Sequence, residues 1–158
     1  VDRMSELKLF DISNNQFTGA VPTELGELVS CVTLYLHGNS LQGTIPTELG
    51  ILSELRSINV GQNRLPGSLP SEFGNIMSLR SLNARGNDGL SGRLESVLDL
   101  LPPSLVFLEI GQTAISGSIP PIVEKFTQLQ TLALYENKLT GTLVSEIGLL
   151  SSLLYLAL

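Results

Sequence analysis

The stretch that decides the fold is LYLHGNSLQGTIPTELG, residues 34–50. It joins a short alternating apolar segment to an asparagine, a Leu-x-Gly segment and an Ile-Pro pair, and the same spacing recurs along the chain. A fixed period of this length predicts a solenoid, with six full repeats and a partial seventh in one domain spanning 1–158. The residues that open the units lie 24 apart, with one interval of 26: Leu7, Cys31, Leu55, Leu79, Leu105, Leu129 and Leu153.

Each unit begins with two apolar residues separated by one other residue. Alternation with period two puts one face of a β-strand in a core and the other in solvent. We therefore expect one short strand in each unit. The apolar pairs are Phe10/Ile12, Leu34/Leu36, Ile58/Val60, Leu82/Ala84, Leu108/Ile110 and Leu132/Leu134, and Leu156/Leu158 begins a seventh.

An asparagine follows almost every strand. An isolated buried amide is costly, but stacked amides can bond the backbone of neighbouring turns. We expect such a ladder, interrupted by Thr113. After it come a glycine that permits a sharp bend and an apolar-Pro pair that stiffens the return path, which we expect to form short helical or 3₁₀ turns. The ladder residues are Asn15, Asn39, Asn63, Asn87 and Asn137.

These positions resemble the plant-type leucine-rich repeat, LxxLxxLxLxxNxLxGxIPxxLGx, from about Met4 to Leu158. The resemblance implies an α/β solenoid: a right-handed superhelix with a concave parallel sheet, a mostly irregular or 3₁₀ convex side, and a second short strand at the Ile-Pro segment. Such repeats occur in ectodomains of receptor-like kinases, in receptor-like proteins and in polygalacturonase-inhibiting proteins. An extracellular or cell-surface location is implied, with an organellar or lumenal assembly as the alternative.

The family's cysteine-paired caps have no counterpart here, and the chain opens with Val1-Asp2-Arg3. We therefore expect a piece of a longer solenoid.

Composition argues against several function classes. The net charge of −6 disfavours general binding of nucleic acid, and no run reaches the roughly 18–20 apolar residues of a membrane span. His37 is the only histidine and Cys31 the only cysteine, so neither belongs to a cluster with metal-ligand spacing. We expect no catalytic site and no cofactor. The carboxylates that share one slot of the return segment form a solvated column: Glu24, Glu48, Glu72 and Glu146.

The variable residues between the strand leucines are the candidates for function. Fixed scaffold positions with varying neighbours are typical of an interaction surface in repeat proteins, although surface positions also vary without purpose. We expect a protein or peptide partner on this face. The predicted contact residues are Tyr35, His37, Asn59, Asn83, Arg85, Glu109 and Tyr135.

Five arginines lie between residues 56 and 93 against two carboxylates. Arg56 and Arg80 occupy the same slot in adjacent units, where they could bind an anion. The alternative is that they open their strands and pair with nearby acids.

Three functions remain open from the sequence. The first is a non-catalytic module that binds a protein or peptide through the concave face. The second is a structural or accessory subunit docked in a larger assembly through its ends or convex side. The third, from resemblance alone, is inhibition of a secreted hydrolase.

Overall fold

A computed structural model describes residues 4–158. Val1, Asp2 and Arg3, from which we expect an upstream segment, lie outside the described residues. In chain order the strands are β1 Leu9–Asp11, β2 Thr18–Ala20, β3 Thr33–Tyr35, β4 Ser40–Gln42, β5 Ser57–Asn59, β6 Ser81–Asn83, β7 Ser91–Arg93, β8 Phe107–Glu109, β9 Ala114–Gly117, β10 Thr131–Ala133, β11 Lys138–Leu139 and β12 Tyr155–Ala157.

The main sheet is parallel and has seven strands in the order β1-β3-β5-β6-β8-β10-β12. Each unit adds one strand beside the previous one, in a register that pairs Leu34 with Ile58 and Ile58 with Leu82. The inward residues of the five inner strands have no exposed surface: Leu34, Ile58, Leu82, Leu108 and Leu132. One hydrophobic cluster runs beneath the sheet, which confirms the α/β solenoid predicted from the alternating pairs.

The return segments carry short helices. Five are 3₁₀ helices, at Thr23–Glu27, Thr47–Ile51, Ser71–Asn75, Pro121–Lys125 and Ser145–Leu149. In four of them a proline caps the first turn, and its fixed φ and missing N–H suit that place. The fourth unit has Leu94-Glu95 in place of the pair and one extra residue, and it forms an α-helix instead, α1 Leu94–Leu100.

The glycines of the Leu-Gly pairs allow close stacking of these return segments. A Cβ on Gly50 would lie 2.7 Å from the carbonyl oxygen of Glu72 in the next unit. Gly26 faces Glu48 in the same way. A side chain at either position would push adjacent units apart, since real Cβ atoms do not approach backbone oxygen so closely.

The second strands do not lie where the resemblance implied. They begin one to four residues after the ladder position and end before the Ile-Pro pair or its replacement, so the predicted position was wrong. They also form two separate sheets, β2-β4 and β7-β9-β11. The break falls in the third unit, where Gly67 and Leu90 make only an isolated bridge. Pro66 lies beside that bridge and has no N–H to donate to a ladder.

Every ladder asparagine after Asn15 ties its own unit to the one before it. The Asn63 amide nitrogen donates to the carbonyls of Leu36, Val60 and Gly61 at 3.0–3.1 Å, and its oxygen accepts the Leu41 N–H at 3.0 Å. Asn39 and Asn87 repeat this arrangement. The amide therefore satisfies backbone groups at a turn where neither strand can reach them.

Thr113 interrupts the ladder without leaving its backbone partner unsatisfied. An asparagine there would accept the N–H of Leu90 in the preceding unit. The extra residue of that unit, within Asn87-Asp88-Gly89, forms a turn in which the Leu90 N–H bonds the Asn87 carbonyl at 2.9 Å. Thr113 itself donates its hydroxyl to Asn137 at 2.6 Å. The turn formed by the irregular spacing thus supplies the hydrogen bond that the missing asparagine would have made to Leu90.

Glu95 links the fourth and fifth units at the site of the missing proline. Its Oε1 accepts the Ser118 N–H at 3.0 Å and the Ser118 hydroxyl at 3.1 Å, and it pairs with Arg93 at 3.0 Å. The carboxylate fills space that a Cβ on Gly117 would occupy. The Ser118 N–H, then the backbone of Glu95 itself, lower the pKa of Glu95 from 4.5 to about 2.

Removing one ladder amide should destabilise the whole stack. Asn63→Ala leaves buried carbonyls and the Leu41 N–H without a partner, so the free energy of unfolding should fall by about 2–3 kcal/mol. Asn15→Ala is the matched control, because Asn15 is exposed and bonds only Ile12 and Ser13. Urea unfolding followed by circular dichroism measures both, and equal losses would contradict the ladder's role between units.

Glu95 should make stability depend on pH. Because folding lowers its pKa, the stabilisation is complete above the unfolded pKa and is lost as the pH falls towards about 2. Glu95→Gln should therefore lower the free energy of unfolding more at about pH 6 than at about pH 3. Glu48→Gln, at an exposed position of the carboxylate column, serves as the control. A difference for Glu95→Gln that stays constant with pH would overturn this assignment.

Candidate functional site

The register of the main sheet aligns the variable residues into columns. Its outward surface, called the sheet face below, is the face that we predicted to be concave. The central column is set by direct pairing of neighbouring strands. Its last member, Ala133, is only 1% exposed, so it adds little to the surface. The column contains Asp11, Tyr35, Asn59, Asn83, Glu109 and Ala133.

Side chains of the central column are held by the backbone two residues further on. Asn59 Oδ1 accepts the Gly61 N–H at 3.0 Å, and Asn83 Oδ1 accepts the Arg85 N–H at 3.0 Å. Asp11 accepts from Ser13 in the same way at 2.8 Å. The Ser13 hydroxyl and N–H lower the pKa of Asp11. These short-range bonds fix the direction in which each amide presents its remaining nitrogen.

A further column, three residues after each member of the central column, is constrained by its backbone. It lies in the left-handed region, which glycine adopts without strain and few other residues favour. Two of its members are glycine and one is asparagine, which is enriched in this region, whereas the other three are glutamine or glutamate. The φ values of the column lie between 50° and 68°, at Asn14, Gly38, Gln62, Gly86, Gln112 and Glu136.

Four predicted contact residues form one network around Glu109. Its two oxygens accept the Asn83 amide at 2.8 Å and the Tyr135 hydroxyl at 3.3 Å. The guanidinium of Arg85 lies 4.0 Å from the same carboxylate and 5.7 Å from the centre of the Tyr135 ring. Arg85 Nε donates to Gln112 at 2.8 Å. Burial, together with the Glu109 carboxylate, raises the pKa of Tyr135, and Arg85 opposes that rise.

Tyr35 and His37 form a second group on the other side of the sheet face. Their rings meet edge to face, with centroids 5.8 Å apart and planes at 76°. The Tyr35 hydroxyl accepts from Ser57 at 3.5 Å. Nδ1 of His37 is buried and has no hydrogen-bond partner among residues 4–158.

A polar pit lies between these two groups, above Gly61. Its volume is about 170 Å³. A Cβ on Gly61 would lie 2.9 Å from the Arg85 carbonyl oxygen and 3.0 Å from Asn83 Oδ1, so only glycine fits in the floor of the pit. The sequence analysis missed Gly61 and Gln62, since a glycine between variable residues gives no sign of what surrounds it. The lining residues are His37, Asn59, Gly61, Gln62, Asn83, Arg85 and Glu109.

Arg56 and Arg80 are both exposed at the strand entries. Arg80 donates to the Ser104 carbonyl at 3.2 Å and to the Gln128 side chain at 2.8 Å, so it contacts neutral acceptors directly before the residues that open the next two units. These bonds direct Arg80 away from Arg56. An anion held between the two arginines stays a prediction, and it would have to compete with the contacts of Arg80.

Elsewhere the chemistry is sparse. Cys31 is buried in the core, where burial raises the pKa of its thiol. In the part of the chain that the structure describes, no group of His, Cys, Asp and Glu could hold a metal ion. Over the same residues, no helix has the length and apolar character needed to cross a bilayer.

Comparison with known proteins places this architecture in a family. The Leucine Rich Repeat family model matches residues 6–28, 30–52 and 54–76. The plant peptide hormone receptor RGFR1, solved in complex with RGF2, superposes with a TM-score of 0.90 at 35% identity over 96% of this chain. The chain is a plant-type leucine-rich repeat protein. This bears out the resemblance seen in the repeat spacing.

A second solved relative of this leucine-rich repeat chain is the ectodomain of the Arabidopsis receptor kinase HAESA, in complex with an IDA peptide hormone that is extended at its N-terminus. It has a TM-score of 0.84 and 31% identity over 92% of this chain. The chain spans about a quarter of either structure, 24% in each case. No curated protein sequence matches it.

The network around Glu109 can be tested through the titration of Tyr135. Glu109→Gln removes a negative charge beside the phenol and should lower the pKa of Tyr135, whereas Arg85→Gln removes a positive charge and should raise it. Absorbance titration measures both shifts, and Tyr135→Phe identifies the signal. Shifts of the same sign in both variants would contradict the network.

Proposed function

We propose that the chain is a non-catalytic module that binds an extended peptide or protein segment along the sheet face. The observation that carries the proposal is the pit above Gly61, flanked by the Tyr35–His37 pair and by the network of Arg85, Glu109 and Tyr135. Tyrosine and arginine are the residues that most often anchor interfaces. The two solved relatives are complexes with peptide hormones, which supports the same kind of ligand here.

The chemistry of the face favours binding over catalysis. Its carboxylate, Glu109, already accepts hydrogen bonds from Asn83 and Tyr135, which leaves it poorly placed as a general base. The thiol of Cys31 is buried and its pKa is raised, so it is a poor nucleophile. A row of anchored polar and aromatic side chains suits recognition of an extended chain.

Docking in a larger assembly is the second candidate, and one observation favours it. Three apolar side chains of adjacent return segments are exposed: Val29 by 51%, Ile51 by 64% and Met77 by 68%. The slot of Met77 holds Ser53 and Thr127 in other units. Exposed apolar side chains that lie on one side of a stack can mark a protein interface.

A selection experiment separates the two candidates. Random-sequence peptides displayed on phage are selected on the immobilised chain, and the enriched peptides are synthesised. Tyr35→Ala combined with Arg85→Ala should weaken their binding by about tenfold or more. Ile51→Ser combined with Met77→Ser, on the return side, should leave it unchanged.

Failure of the sheet-face pair to change affinity would contradict the proposed surface. Loss of binding in the return-side pair alone would favour docking through that side. Circular dichroism spectra and urea midpoints of both double variants establish that they are folded.

A further inference from the structure

We propose that the pit above Gly61 is a subsite for a carboxylate side chain, aspartate or glutamate, of a peptide bound along the sheet face. This inference rests on the proposed function and specifies which group of the ligand the pit recognises. Unused hydrogen-bond donors that line the pit and the position of the pit within the sheet carry it.

Asn59 offers one unused donor. The Gly61 N–H occupies its Oδ1, which assigns the amide orientation and leaves Nδ2 on the other side. Within residues 4–158, Nδ2 of Asn59 has no hydrogen-bond partner. The equivalent nitrogen of Asn83 is already bonded to Glu109 at 2.8 Å, so the two amides of the pit differ in what they can still bind.

Arg85 offers more donors. Its Nε is occupied by Gln112, and the Glu109 carboxylate lies 4.0 Å from that same nitrogen. The terminal nitrogens, Nη1 and Nη2, bond none of the described residues. A guanidinium held by Nε, with both terminal nitrogens available, is suited to a carboxylate oxygen.

The acceptors of the pit are already engaged. Glu109 receives the Asn83 amide on one oxygen and the Tyr135 hydroxyl on the other, and Asn83 Oδ1 receives the Arg85 N–H. A cationic ligand would have to displace these bonds. Gln62 and His37 are the remaining polar side chains in the pit. The Gln62 amide can turn to suit either kind of group, and the buried Nδ1 of His37 donates in the tautomer that carries its proton there. The hydrogen-bond donors that remain unused in the pit therefore favour a ligand group that accepts hydrogen bonds and carries a negative charge.

Shape and position favour a side chain over a chain end. Gly61 follows the third of the seven strands, and the sheet face continues past the pit to Tyr35 on one side and to Tyr135 on the other. A peptide that contacts both groups would cross the pit with the middle of its length. The group that enters the pit is then a side chain.

The test uses the peptides selected on the full chain. Enriched sequences should share an Asp or Glu at one position. Replacing that residue by Asn or Gln in a synthetic peptide should weaken binding by about tenfold, as expected for loss of hydrogen bonds to a charged group. Amidation of the peptide's C-terminus should leave the affinity unchanged.

Asn59→Asp is the protein variant, because it keeps the oxygen that accepts the Gly61 N–H and replaces the free donor with a charge. It should weaken binding of the acidic peptide by about tenfold and binding of its neutral analogue by less than about threefold. The protein substitution and the peptide substitution are then energetically coupled. Gln42→Glu adds the same charge on the exposed edge strand β4 and should change neither affinity.

The outcomes are distinct. Selection without any enriched peptide would remove the proposed function itself. Peptides that bind the sheet face but share no acidic residue would overturn the subsite and leave the proposed function standing. Acidic peptides that bind the Asn59→Asp variant with the same affinity as the original chain would do the same. Loss of affinity on C-terminal amidation would assign the pit to a chain terminus instead.

Discussion

The structure depends on ladder asparagines whose side-chain amides bond the backbone of two units. At the end of each main strand the chain turns, and some of its carbonyl and N–H groups, such as the carbonyls of Leu36 and Val60, are bonded by no backbone group of residues 4–158. The ladder asparagine satisfies them: Asn63 bonds carbonyls of its own unit and of the unit before, and accepts the Leu41 N–H. Without such an amide these buried groups would cost more than the apolar core could easily offset.

The same amide positions the candidate site. The carbonyl of Gly61 accepts the Asn63 amide at 3.1 Å, while its N–H is held by Asn59 at 3.0 Å. The floor of the pit is thus fixed from both sides, by the ladder beneath and by the central column above. Asn87 holds the next turn in the same way, through the carbonyls of Val60 and Ala84. A binding face built on such turns is preorganised, which limits the entropy lost when a partner binds.

The sequence was sufficient for the repeat, the main strands and the buried side of each strand, because a period of 24 repeats the same physical solution and averages out local exceptions. It failed where one unit departs from the others. Pro66 breaks the second sheet, and the turn after Asn87 compensates for Thr113, but both effects involve a neighbouring unit. The residues predicted from their variability to contact a partner lie on the sheet face, and the contact itself stays a prediction. That a pit lies above Gly61 follows only from how the side chains of Asn59, Asn83 and Arg85 are held by their neighbours.

The most direct test of this account is residue-resolved amide hydrogen exchange of the unmodified chain in solution. The N–H groups of Leu41 and Leu65 are bonded only by ladder asparagines, and that of Gly61 by Asn59. The account predicts that all three exchange as slowly as amides within the main sheet, such as Ile58. Exchange of these three amides at the rate of an unstructured peptide, while Ile58 stays protected, would contradict it.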